Sequence, residues 1–126
     1  MSVLDQIRAR AAADSSLWEA ALLPGEPPAP EYEGRCPDSH LLGVEMIREG
    51  HLLHGGRSRL FSQVDRDLAL LTGDYLYAAG LVEICTTGDL GAVTALAGLI
   101  SACARDRGEG FGDDEQRWSD ALAAFA

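Results

Sequence analysis

Lysine is missing altogether, and all ten basic residues are arginine. That excludes Schiff-base chemistry and a phosphate-loop lysine. Basic residues of any kind are scarce, 10 against 20 acidic for a net charge of −10, so the chain repels nucleic acid and anionic lipid. Aromatic residues are only 6% of the chain, while hydrophobic residues reach 47%. A core is therefore expected, built mainly from Ala, Leu and Gly, which favour close-packed helices over sheets. Cysteine is limited to Cys36, Cys85 and Cys103, widely spaced. Cys85 and Cys103 fall in apolar helical stripes, where a thiol ordinarily serves as a small core hydrophobe, and a reducing cytoplasm is the expected location. No basic head followed by an apolar run opens the chain, so no secretory signal is expected. The most apolar stretch, Leu90 to Ala104, contains Thr94, Gly98 and Ser101 and is too short for a membrane span.

What is present is enough for one small all-α domain, a bundle of about five helices. Val3 to Leu23 has Leu4, Ile7, Ala11, Leu17, Trp18 and Leu22 at helical spacing, with a break or new cap at Asp14-Ser15-Ser16. Residues 24–37 form a spacer, because the prolines between Pro24 and Pro30 remove donors and force extended backbone. The bundle core is then residues 38–126. Asp38 or Ser39 is the expected N-cap of a helix that carries Leu41, Val44, Met46, Ile47, Leu52 and Leu53 and stops at Gly55-Gly56. Thr86 to Asp89 ends one helix and caps the next, giving a two-helix hairpin, and Gly108 to Gly112 breaks the chain again. Asp113 or Asp114 then caps a last helix bearing Trp118, Leu122 and Phe125.

The stretch from Phe61 to Cys85 is expected to be the central helix. Val64, Leu68, Leu71, Tyr75, Ala78, Val82 and Cys85 lie at alternating steps of four and three, one continuous seam. A second stripe, Leu70, Tyr77, Leu81 and Ile84, lies beside it. A helix with two apolar faces in so short a chain cannot bury both internally, so Val64, Leu68, Leu71, Tyr75 and Val82 are the expected interface.

Candidate chemistry is sparse. His51 and His54 are three apart on a helix and could share a metal with Cys36 and His40, yet such histidines are more commonly plain polar residues at a helix end. Asp65, Asp67 and Asp74 invite a catalytic reading, but pairing with Arg48, Arg57, Arg59 or Arg66, or capping, is the ordinary alternative.

The run Glu45-Met46-Ile47-Arg48-Glu49-Gly50-His51-Leu52-Leu53-His54-Gly55-Gly56 resembles the helix of trans-polyprenyl diphosphate synthases that carries their first aspartate-rich motif. Gly73-Asp74-Tyr75-Leu76 matches a segment that opens a later helix in that family, and Gly108-Glu109 matches a Gly-Glu further on. The resemblance covers about residues 41 to 112 and implies the central part of an isoprenoid synthase fold and a habit of self-association. It does not imply catalysis. Gly55 and Gly56 stand where the family has its magnesium-binding aspartates, and the chain ends before a second such motif. Without clustered hard oxygens no cation holds a diphosphate, so no cofactor and no catalytic residue are carried over. The expected role is a non-catalytic interaction subunit, a pseudoenzyme that self-associates or supports a partner such as a catalytic prenyl synthase. The alternative is a module holding an isoprenoid or lipid, with Arg48, Arg57, Arg59 and Asp74 near its head group.

Overall fold

The computed structural model describes residues 1–110 and 114–125 and is all-α, as composition and periodicity predict. Its helices are α1 (Val3–Asp14), α2 (Ser16–Ala21), α3 (Leu41–His54), α4 (Arg66–Thr86), α5 (Leu90–Glu109) and α6 (Asp114–Ala123). The breaks are chemical. Ser2 caps α1 in a reciprocal box with Asp5, and Ser15 accepts from the Leu17 and Trp18 amides to start α2. Asp65 caps α4 and Asp89 caps α5, while Gly88 and Gly110, both at positive φ, turn the chain out of α4 and α5. The start of α3 differs from expectation. Asp38–His40 is a 3-10 turn that makes no side-chain cap, so neither Asp38 nor Ser39 performs that role. Asp113 lies outside the described residues.

The central helix is α3, not the stretch from Phe61 to Cys85. Twelve of the fourteen residues of α3 are buried, against six of twenty-one in α4. Two hydrophobic clusters lie on either side of it. One joins Leu41, Val44 and Ile47 to Leu96 and Leu99 of α5 and Trp118 of α6. The other joins Leu4, Ile7 and Ala11 of α1 to Met46, Leu53 and Leu76. Residues 1–23 thus pack onto the bundle. Residues 24–37 also enter it, since Tyr32 is buried and stacks on Trp118 with ring centroids 5.3 Å apart.

The helix after the Arg57-Ser58-Arg59 turn begins at Arg66, later than expected. Phe61 instead forms an antiparallel bridge with Leu22, closed by Leu23 N donating to Leu60 O at 2.9 Å and Ser62 N to Ala21 O at 2.8 Å. Gly73-Asp74 therefore sits inside α4 rather than opening it.

The face that α4 turns inward is also not the one its large residues suggest. Ala69, Thr72, Gly73, Leu76, Gly80 and Ile84 are buried, whereas Leu71 and Val82 are more than half exposed. The cause is backbone-to-backbone contact with antiparallel α3. A Cβ built on Gly50 would lie 2.8 Å from the Gly73 carbonyl oxygen, and one on Gly80 would lie 2.8 Å from that of Gly43. The reverse contacts, from Gly73 to Gly50 O and from Gly43 to Gly80 O, are 3.1 and 2.9 Å. Two glycines per helix, seven residues apart, recur on one face after two turns and let the axes close to a distance no larger side chain permits.

Gly50→Ala and Gly80→Ala should therefore each cost about 1–3 kcal/mol or more by overpacking. Gly98→Ala, with open space around its Cβ, should gain up to about 1 kcal/mol from helix propensity. Urea midpoints of the three variants check the pair of effects, and a neutral Gly50→Ala would remove the close-contact account.

Candidate functional site

Burial of α3 creates the main electrostatic feature of the molecule. Glu45, Arg48 and Glu49, at i, i+3 and i+4, are carried into the interior, where Glu45 and Glu49 have no exposed surface. Charges so placed persist only if paired and hydrogen-bonded. The turn after α3 supplies the partner. Arg59 donates from Nε to Glu49 Oε1 at 2.9 Å and from Nη1 to Glu45 Oε1 at 2.8 Å, and its backbone N–H reaches Glu49 Oε2 at 3.2 Å. Ser58 donates its hydroxyl to Glu49 while its Oγ accepts from the Leu60 and Phe61 amides. The extended segment contributes too, as Glu31 N donates to Glu45 Oε1 at 2.8 Å.

Arg48 points to the other side. Its Nε donates to Glu31 at 3.0 Å and its Nη2 to Glu115 of α6 at 2.8 Å, with the guanidinium carbon 5.7 Å from the Tyr32 ring centre and 5.2 Å from that of Trp118. Burial opposes the charge on Arg48 and Arg59, yet the carboxylates beside them hold both pKa values above the ordinary arginine range. Glu45 Oε2, Arg48 Nη1 and Trp118 Nε1 are buried without a partner in this region.

A second cluster joins α3, α5 and α6. His51, Cys103 and Asp114 place their donor atoms within 4.8 Å of one another. Nitrogen, sulfur and oxygen donors of this kind suit zinc, but the surroundings oppose a cation. Arg107 Nη2 lies 3.3 Å from His51 Nδ1, which selects the tautomer with a proton on Nε2, facing Asp114 at 3.5 Å. Burial, then Arg48, and further Arg107 and Arg57, push the His51 pKa down to about 4 against the pull of Asp114, and burial pushes the Cys103 thiol up to about 11. The geometry favours a hydrogen-bonded knot that ties α6 to α3 and α5.

The sequence-derived candidates distribute as follows. Arg48 and Arg59 share Glu31, through Arg48 Nε at 3.0 Å and Arg59 Nη1 at 3.9 Å, and so belong to one network. Arg57 is exposed, with no ion pair among the described residues, and Asp74, 65% exposed, pairs with His54 Nε2 at 2.9 Å. His40 holds Asp89 at 2.9 Å, and Cys36 contacts the Tyr32 carbonyl at 3.9 Å. The proposed set of Cys36, His40, His51 and His54 is not assembled, because each histidine reaches a different aspartate, Asp89 capping α5, Asp114 of α6 and Asp74 of α4. Of the aspartates, Asp65 is a cap. Arg48 and Arg59 pair instead with glutamates that sequence reasoning passed over, and Arg66 donates to the Leu53 and His54 carbonyls at 2.7 and 2.9 Å. The available signal was Glu45 and Glu49 bracketing Arg48 in an otherwise apolar helix.

On the expected interface, Val64 precedes α4 and is 95% exposed, Leu71 and Val82 are 56% and 57% exposed, and Leu68 is partly buried. Tyr75 is already engaged. Its hydroxyl donates to Asp14 at 2.6 Å and its ring stacks on Trp18 at 3.9 Å, because α1 and α2 cover that side of α4. Cys85, expected in the core, is exposed on the outer face, while Cys103 is buried as expected. By length and composition α4 could also cross a membrane, with a mean hydropathy of 1.4 over its most apolar window.

Arg59→Ala strands Glu45 and Glu49 without a counter-charge and should cost about 3–5 kcal/mol, while Arg57→Ala at the exposed neighbour should stay within about 0.5 kcal/mol; urea denaturation distinguishes them. A pH dependence follows from His51. The unfolded imidazole takes up a proton near its ordinary pKa of 6.5 and the folded one only near about 4, so stability is lost as pH falls through that window. His51→Gln should flatten the fall of the thermal midpoint between those two pH values, and an unchanged slope would exclude His51 as its source.

Comparison with protein-family models, with curated proteins and with solved structures finds no match to this chain.

Proposed function

We propose that this chain is a non-catalytic helical interaction subunit, in the line of polyprenyl synthases, that binds another protein through the outward face of α4. One observation carries this reading. Leu71 and Val82, both more than half exposed, line one side of the same helix with the exposed Ala78 and Cys85. Isolated apolar residues on a surface need no explanation, but a row along one helix marks a contact surface. Near the start of α4, a hollow of about 220 Å³ is lined by Leu17, Ala21, Val64 and Leu68 together with Ser62 and Asp65.

Support for the non-catalytic part comes from the charges. The carboxylates of α3 are held by Arg59, and the turn that follows places glycines, Gly55 and Gly56, where a cation site would need oxygens. The lipid-binding alternative is weaker on geometry. Four glycines bring α3 and α4 into backbone contact, which leaves no slot between them for a prenyl chain, and Arg48 and Arg59 are engaged with glutamates rather than turned toward a head group.

The double change Leu71→Glu, Val82→Glu charges two surface positions, so the unfolding free energy from urea denaturation should change by no more than about 1 kcal/mol. The complex that the wild-type chain forms, measured as its mass by light scattering alone and in extract of its native host, should disappear. An assembly that persists with both glutamates in place would dismiss this face as the binding surface.

A further inference from the structure

We infer that Ser39 is a base-activated nucleophile, a covalent modification site that takes an acyl group from a neutral activated ester. The inference goes beyond the α4 contact and does not depend on it. A chain of hydrogen bonds outside both clusters described above carries it. Ser39 Oγ lies 2.9 Å from His40 Nδ1, and His40 Nε2 lies 2.9 Å from Asp89 Oδ2. An ionised carboxylate only accepts, so the uncharged imidazole keeps its proton on Nε2 and donates it to Asp89. Nδ1 is then the acceptor, and the Ser39 hydroxyl donates to it. The other Asp89 oxygen accepts from the Ala92 N–H at 3.0 Å, so the cap of α5 also pins the carboxylate that orients the imidazole. The bonds from His40 and Ala92 hold the Asp89 carboxyl below the ordinary aspartate range. A hydroxyl, an imidazole and a carboxylate in this series are what makes serine a nucleophile. The two ring nitrogens are exchanged relative to the serine-protease triad, which leaves the proton logic unchanged because either one can accept.

Exposure and charge fit the same role. His40 is buried, with the Phe125 ring 5.7 Å from its own, whereas Ser39 is exposed. The base is thus screened from water while the hydroxyl is open to a reagent. The Ser39 N–H has no acceptor among the described residues and is free to donate to an oxygen that gains charge during attack. Asp38 and Asp89 flank the serine in a chain of net charge −10, which opposes an anionic phosphoryl donor and leaves a neutral ester. Leu90, next to Asp89 and 76% exposed, offers apolar surface to the acyl group. In the step, a bond forms between Ser39 Oγ and the carbonyl carbon, and the bond from that carbon to the leaving oxygen breaks. The serine proton passes to His40 Nδ1 and from there to the departing oxygen.

The full chain incubated with p-nitrophenyl acetate should gain one acetyl group, placed on Ser39 by peptide mass spectrometry. Exposed Ser16, which meets no imidazole among the described residues, is the control within the same molecule, and Ser39 should react about 100-fold faster or more. Ser39→Ala should abolish the label. Asp89→Asn should slow it by a similar factor, because an amide N–H facing His40 Nε2 turns that nitrogen into the acceptor and moves the ring proton to Nδ1. Its side-chain oxygen can still cap α5, and circular dichroism melts check that this variant is folded. Equal labelling of Ser39 and Ser16, no label at all, or a Ser39 rate that a folded Asp89→Asn leaves unchanged each overturns the activated serine and leaves the α4 contact untouched. Nitrophenolate released beyond one per chain, and lost with Ser39→Ala, would keep the activated serine and overturn the non-catalytic reading instead.

Discussion

The contact on which this molecule depends is the meeting of α3 and α4 through Gly43, Gly50, Gly73 and Gly80, where main chain rests on main chain. Dispersion between two backbones at such separation extends along several turns, and it holds α4 by a face of small residues. Everything larger on α4 must then go elsewhere. Tyr77, Leu81 and Ile84 reach the cluster shared with α5 and α6, Tyr75 turns to Trp18, and Leu71, Ala78, Val82 and Cys85 are left pointing outward. The exposed stripe follows from how closely the inner face packs.

The same closeness explains the buried charges. With α4 on one side, α1 on another and α5 and α6 on a third, α3 has almost no solvent-facing edge, so its polar residues cannot snorkel to water and must find partners inside. Arg59 from the following turn and Glu31 from the extended segment meet that need, while Glu115 and Asp114 bring α6 against Arg48 and His51. The ion network therefore orders the non-helical stretches, which have little apolar surface of their own. Such a network contributes specificity of arrangement more than net stability. Two arginines, Arg48 and Arg59, share four carboxylates in it, those of Glu31, Glu45, Glu49 and Glu115.

The interior holds paired charges beside the unpartnered Glu45 Oε2 and Arg48 Nη1, and the outer face of α4 carries an apolar row. Each of the three histidines ties its part of the chain to an aspartate, His40 to Asp89 at the cap of α5, His51 to Asp114 of α6 and His54 to Asp74 of α4. His51 differs in being buried neutral, so acid loosens the bundle where α6 docks.

Helical periodicity, serine and aspartate caps and positive-φ glycines are local properties, and they determined the all-α class, the break at Ser15, the end of α3 and the α4–α5 hairpin from the sequence alone. Of the seam expected from the spacing on α4, Leu71, Ala78, Val82 and Cys85 are exposed, whereas Val64 precedes the helix, Leu68 is partly buried and Tyr75 is held by Asp14 and Trp18. Which face points inward was not local. Large residues suggested one side, yet glycines on two distant segments had to be seen touching before the small side could be recognised as the buried one. The pairing of Glu45 and Glu49 with Arg59, and of Arg48 with Glu31 and Glu115, likewise belongs to tertiary structure alone. A charge in a helix reads as solvated until its neighbours are placed, and only the packing of four helices around α3 removed the water that would otherwise have satisfied it.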